Sequence, residues 1–430
     1  MMSLTTSGNH SRKNAYFTFA LLFLLYMFDY IDRLVIVSLF PFLKAEWGLS
    51  DTQCGLLVSA VYWSILLFSF PVSVLVDRWS RKKTIGLMSI LWSMATLACV
   101  FTKSFKQLFL ARTAIGVGEA GYAPGGTALI SALFPENQRA KMLGIWNAAI
   151  PFGSALGIAL GGIIAERYGW RHAFGIVALP GLVFAVLFFW VKDYRTVDLV
   201  RDDGSTANAQ PVKMSRKDIV REFVQRKSLL FNNLAFAANV FVTTSLLSWM
   251  PTYFHRVEGL SMGKAGTKSG LIMFMAIIGA PLGGYIADRW RRRRPSARML
   301  LPAITSILAG VLLFLAMTFL EGRLQYSMLL LVGVTIIMFV PSAVSVTQDV
   351  VHPGLRAISL SINIVIQHTL GSPLGPLFVG AVSDVYGLNT AVQWLPAFTL
   401  LAGVLFWMGS FYYEKDLKAV AKIEVKIEES

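Results

Sequence analysis

The chain has 430 residues, of which 55% are hydrophobic and only 15% charged, whereas soluble domains sit nearer one half and one quarter. That composition, with the apolar residues gathered in long runs, excludes a soluble globular core and leaves embedding in a lipid bilayer. The formal net charge of +15 does not indicate nucleic acid, because the basic residues fall in alternate gaps between the apolar runs.

A spanning helix takes about 20 apolar residues, more when tilted. A polar N-tail, 1–14, carries Arg12 and Lys13 ahead of the first run and lacks the small-residue cleavage site of a signal peptide. Six runs follow at 15–43, 53–76, 84–102, 106–132, 141–165 and 171–191. The segment 192–228 is polar and charged and predicts a linker. Six more runs lie at 229–253, 266–287, 299–319, 325–349, 357–382 and 389–413, ahead of a charged C-tail at 414–430. The expected fold is an all-α membrane protein of twelve transmembrane helices in two pseudo-symmetric six-helix bundles, 15–191 and 229–413. Most of the 39 lysines and arginines fall in the two tails, the linker and the gaps on their side. By the positive-inside rule these parts are cytoplasmic. Cys54 and Cys99 have neither metal spacing nor a disulfide framework and predict inert helix residues.

Charges inside spans are costly and mark pathways or relays. Span one carries Asp29, Asp32 and Arg33; span four carries Arg112 and Glu119. Seven residues advance a helix by two turns less about 20°, so Arg112 and Glu119 share a face. They stand about 10 Å apart along the axis, too far for an easy ion pair, and each predicts a partner on another helix. Asp32, near mid-span on the antiparallel first helix, lies at a depth comparable with Glu119. One expectation is therefore a proton carrier at Glu119 or Asp32 with Arg112 as its switchable counter-ion; the other is a static Asp32–Arg112 pair joining spans one and four. Asp29, Arg33 and Arg112 are also candidates for contact with substrate. In the later spans, Asn239, Asn363, Gln367 and His368 could touch substrate or simply join helices. Gly153, Gly157 and Gly161 recur every fourth residue, a spacing that permits close helix approach, with bending or sliding during transport as the alternative.

The chain repeats itself. WGLSDTQCG and VDRWSRKK in the first half answer EGLSMGKAG and ADRWRRRR in the second, pairing Gly48 with Gly259, Gly55 with Gly266 and Asp77 with Asp288. RYGW at 167–170 answers VYGL at 385–388. In the repeated loops, Asp77, Arg78 and Arg81, and again Asp288 and Arg289, have the makings of a latch in which a carboxylate at a helix end pairs with basic neighbours. Duplication of this length is a mark of transporter folds with midplane sites.

Twelve runs, the duplication and the D-R-x-x-R-[RK] loop resemble the major facilitator superfamily. Within it, DYIDR at 29–33, RTAIGVGEAG at 112–121 and IPFGSALG followed by YGWRHAF are most similar to the Spinster-like transporters, with signatures shared by the anion:cation symporters that import sugar acids. One departure is Ser73, where the family usually has glycine four residues before the aspartate; Gly284 keeps it in the second copy. The resemblance implies a secondary active transporter, proton-coupled and working by alternating access. Its cargo would be a small organic anion or a lysolipid-like amphiphile. It also implies a multi-pass protein of a bacterial-type inner membrane, acting as a monomer without nucleic acid. Exporters of drugs or metabolites, and a non-transporting sensor, are the alternatives. No phosphate loop, zinc-ligand spacing or nucleophile elbow is present in the sequence, so neither a cofactor nor an enzyme is expected.

Overall fold

The computed structural model describes residues 5–78, 81–191, 223, 225–352 and 355–420. Helices make up the regular structure of these residues. In chain order they are α1 (Thr5–Leu34), a 3-10 turn (Val35–Ser38), α2 (Phe40–Trp47), α3 (Asp51–Arg78), α4 (Arg81–Ala98), α5 (Phe105–Glu119), α6 (Tyr122–Leu133), α7 (Glu136–Asn147), α8 (Ala149–Tyr168) and α9 (Trp170–Phe188). Then come α10 (Lys227–Arg256), α11 (Met262–Phe274), α12 (Ala276–Arg291), α13 (Ala297–Thr318), α14 (Gly322–Thr335) and α15 (Val340–Asp349). The last are α16 (Arg356–Ile366), a π segment (Gln367–Gly371), α17 (Leu374–Tyr386), α18 (Leu388–Gln393) and α19 (Leu395–Lys418). The predicted linker 192–228 lies outside the described residues except for its last few.

Among the described residues, nine helical stretches are long and apolar enough to cross a bilayer, and they coincide with nine of the predicted runs. The other three runs, 15–43, 106–132 and 357–382, are helical but divided: by the 3-10 turn, by a two-residue step at Ala120–Gly121, and by the π segment. A proline follows each of these interruptions, although Pro71, Pro180 and Pro251 lie inside helices that run on. A proline has no N–H for the carbonyl four residues back, and its ring crowds that carbonyl. The carbonyls so deprived by Pro41, Pro124, Pro151, Pro341 and Pro373 belong to Val37, Ala120, Asn147, Ile337 and Thr369, each within or beside a break.

The duplication is visible in the backbone. Gly48 and Gly259 both turn left-handed, at φ of 64° and 69°. Gly169 and Gly387, at φ of 88° and 84° with ψ of 156° and 155°, part α8 from α9 and α17 from α18. Only glycine takes up such angles without strain, which explains why the sequence repeats it there.

Two compact units form. The first takes in residues 1–207, 243–277 and 372–393; the second takes in 208–242, 278–371 and 394–430. In the first, α8 lies against α1 along the predicted glycine row. A Cβ on Gly157 would come within 2.8 Å of the Ile31 carbonyl oxygen, and one on Gly161 within 2.7 Å of that of Val35. We expect Gly157→Ala to lower stability by about 1–3 kcal/mol in thermal unfolding of the detergent-purified protein. Gly144→Ala, with nothing within 4 Å of its Cβ, is the matched control. In the second unit, α13 packs on α19 around a core that includes Phe236, Phe339, Phe406 and Tyr413, all buried.

Candidate functional site

The charges of spans one and four meet in the first unit, but with partners other than those expected. Asp29 and Arg33 are four apart on α1 and face the same way. Arg33 Nη2 lies 2.9 Å from Asp29 Oδ2 and 2.8 Å from Glu119 Oε2. One guanidinium thus bridges two carboxylates on two helices. Tyr30 lies beneath it, with the guanidinium carbon 4.5 Å from the ring centroid. Glu119 is the final residue of α5, placed there by the step ahead of Pro124.

Arg112 gives its guanidinium to main-chain oxygens. Nε donates to the Leu57 carbonyl at 3.2 Å, Nη1 to that of Asp32 at 3.2 Å and Nη2 to that of Arg33 at 2.8 Å. The last four carbonyls of a helix have no partner within it, and α1 ends at Leu34. Arg112 therefore caps the C-terminus of α1, where a cation also meets the negative end of the helix dipole. The expected Asp32–Arg112 pair, static or switchable, is replaced by this cap. Arg33 is the cation that meets Glu119.

Asp32 is fully buried, and neither of its carboxyl oxygens has a hydrogen-bond partner. Thr96 is beside it, but its hydroxyl donates to the Trp92 carbonyl at 3.0 Å. Gly181 of α9 faces the same place: a Cβ there would stand 3.7 Å from Asp32 Oδ2 and 3.0 Å from Ser93 Oγ. The Ser93 hydroxyl is likewise without a partner. Three carboxyl groups and two guanidinium groups are thus enclosed together, none more than 7% exposed. Charges so enclosed are tolerable only when balanced.

The sequence profile described as Major Facilitator Superfamily matches residues 22–376. The chain belongs to the major facilitator superfamily. Among its relatives, a hexuronate transporter of Bacillus subtilis is 28% identical over 62% of this chain and 63% of that one. A spinster homolog 3 of Danio rerio is 25% identical over 95% of this chain and 87% of its own. A sphingosine-1-phosphate transporter of Mus musculus is 26% identical over 90% and 76%. Among solved structures, a bacterial homolog of the human lysosomal transporter Spinster, inward-facing and unoccupied, superposes with a TM-score of 0.82 at 22% identity, over 94% of this chain and 98% of that one. The Spinster-like and sugar-acid resemblances of spans one and four are therefore both met by relatives along the chain. This major facilitator is a multi-pass membrane transporter of small molecules, not an enzyme.

Of the facilitator's other predicted site residues, Asn239, Asp288, Arg289, Asn363, Gln367 and His368 fall in the second unit. Asn363 Nδ2 donates to Asn233 Oδ1 at 2.8 Å, and Gln367 Nε2 to Asn363 Oδ1 at 2.5 Å, so these amides join α16 and the π segment to α10. Asn239 donates to Ser306 Oγ at 2.8 Å. His368, on the π segment, is partly buried and places Nδ1 3.0 Å from the Ile364 carbonyl. For the loop residues, the side chains of Asp77, Arg78 and Arg81 lie outside the described residues. In the second copy Arg289 is exposed, and Asp288 pairs at 3.5 Å with Arg298. Arg298 also forms an ion pair with Asp349, which accepts the Tyr413 hydroxyl at 2.8 Å. Arg298 and Asp349 went unnoticed in the sequence. The signal available was an acid closing an otherwise apolar run, just before His352–Pro353–Gly354.

Proposed function

We propose that the protein is a proton-coupled secondary transporter that carries a small organic anion or a lysolipid-like amphiphile by alternating access. The enclosed charge set carries this reading. Arg33 and Arg112 balance two carboxylates, and a third carboxyl, Asp32, is buried without a donor; one bound proton makes the set neutral. Loading that proton and releasing it as the cavity turns from one side to the other couples the cycle to a pH gradient. Arg33, shared between Asp29 and Glu119, is the cation that redistributes when either carboxylate changes charge. It can then offer itself to an anionic substrate, while Arg112 stays in its cap. An anionic head is common to the cargoes named for the hexuronate and sphingosine-1-phosphate relatives, which supports an anion here. The two bundles that alternate would be 15–191 and 229–413, joined by the linker 192–228. Both termini would be cytoplasmic in a bacterial-type inner membrane, the protein would act as a monomer, and the Asp77 and Asp288 loops would serve as latches. Asn239, Asn363, Gln367 and His368 are the hydrogen-bonding groups that the second bundle brings to the substrate.

Purified protein in liposomes with an imposed pH gradient is expected to take up or expel a hexuronate or a lysophospholipid, and to move protons with it. Uptake indifferent to the gradient for every anion tried would rule the coupling out.

A further inference from the structure

A cavity of about 370 Å³ in the second unit has opposite charges on its two walls. Arg294 and Ser296 line one wall; Trp407, Ser410, Phe411 and Glu414 line the other. The four α19 residues stand at i, i+3, i+4 and i+7, and so share one helix face. Trp407 and Phe411 meet edge to face, with ring centroids 5.0 Å apart, yet remain 51% and 65% exposed. The facing wall is the turn ahead of α13. There the buried Ser296 hydroxyl accepts a hydrogen bond from Arg294 Nε at 2.9 Å. That bond holds the guanidinium in place, and its two terminal nitrogens meet no acceptor among the described residues. Arg298, one turn further on, is already taken up by Asp288 and Asp349, which leaves Arg294 as the cation for this cavity.

The cavity lies where the apolar runs stop. Arg294 stands five residues before the run 299–319, and Glu414 directly follows the run 389–413. A tryptophan at that depth belongs to the polar margin of a bilayer. An arginine fork matches a phosphate. Glu414 stands on the opposite wall, no ion pair joins it to Arg294, and it calls for a cation. A purely anionic lipid head would satisfy Arg294 and be repelled by Glu414. A choline head brings a cation with no N–H to donate. An ethanolamine head brings a phosphate for the one and a primary ammonium, with three N–H donors, for the other. Its acyl chains would run on over Trp407 and Phe411 into the bilayer.

We propose that this cavity binds a membrane phospholipid with an ethanolamine head, its phosphate on Arg294 and its ammonium on Glu414. The site is built from the second unit alone. It depends neither on the solute carried nor on proton coupling, so a failure of either in liposomes would leave it standing.

Delipidated protein in detergent, titrated with phosphatidylethanolamine, phosphatidylcholine or phosphatidylglycerol of the same acyl chains, tests the site by thermal unfolding, because a ligand of the folded state raises the midpoint. The ethanolamine lipid is expected to bind about tenfold more tightly than either of the others, the worth of one charge-assisted hydrogen bond. Glu414→Gln is expected to bring it down to the level of the choline lipid, and Arg294→Gln to weaken all three. Glycerophosphoethanolamine, the same head without chains, is expected to give no shift at the same concentration. Equal affinity for the three lipids would overturn the site, as would ethanolamine selectivity that survives Glu414→Gln. A preference for the glycerol lipid would overturn it too, leaving only a basic patch. A full shift with glycerophosphoethanolamine would overturn the lipid and give the cavity to a soluble phosphoamine. The comparison among lipids on the native protein needs no variant, so a substitution that failed to purify would not remove the test.

Discussion

Glu119→Gln is expected to abolish accumulation against a gradient while sparing exchange. In the native site a single added proton neutralises three carboxylates set against two guanidinium groups. With glutamine at 119, Asp29 and Asp32 alone balance Arg33 and Arg112, and neutrality needs no proton. A solute moved electroneutrally with one proton accumulates about tenfold for each unit of pH difference. The variant should reach only equal concentrations on the two sides of a liposome, while isotope exchange of the same substrate continues, because the arginine cap and the helix crossings remain. Tenfold accumulation surviving in the variant would remove Glu119 from the coupling.

Arg112→Met is expected to cost about 3 kcal/mol or more, and to do so through the main chain. The side chain is completely buried and supplies donors to three carbonyls at once. The Leu57 carbonyl lies inside α3 and keeps its helical amide, but those of Asp32 and Arg33 stand at the end of α1; each buried acceptor left unsatisfied costs about 1–3 kcal/mol, and a methionine of similar length offers neither of them a donor. Arg112→Lys keeps the cation but only one donor centre in place of a planar fork, and should fall between the two. Thermal unfolding in detergent measures both. A methionine variant within 1 kcal/mol of the native protein would mean that the carbonyls have found other donors. Arg33→Met is the informative contrast, since its loss leaves Asp29 and Glu119 enclosed without their shared cation and should affect transport together with stability.

The periodic features were legible in the sequence and the partnerships were not. Apolar run lengths give nine of the helical stretches directly, and the duplicated glycines at 48 and 259, 169 and 387 fold to the same backbone angles. The buried site was also visible in outline, since Asp29, Asp32, Arg33, Arg112 and Glu119 stand out in apolar surroundings. Spacing on one helix fixes which face a charge occupies, but not which of two cations will reach a given carboxylate across a helix interface. That choice turned on where α1 stops. Its end at Leu34 leaves carbonyls that need a strong donor, and Arg112 is the cation within reach; Arg33 is then left for Glu119. Proline positions held the missing information, because each marks the carbonyl that will lack an amide.

The cap on α1 also has a bearing on how the site tolerates change. Arg112 recognises residues 32, 33 and 57 through atoms that every amino acid possesses, so the identities of those side chains do not enter into its grip. Position 32 can lose its acid, as in Asp32→Asn, without loosening the scaffold that holds it. The side-chain chemistry at position 32 and the architecture of the helix end are thereby inherited separately, and a chain of this kind can be re-tuned one side chain at a time.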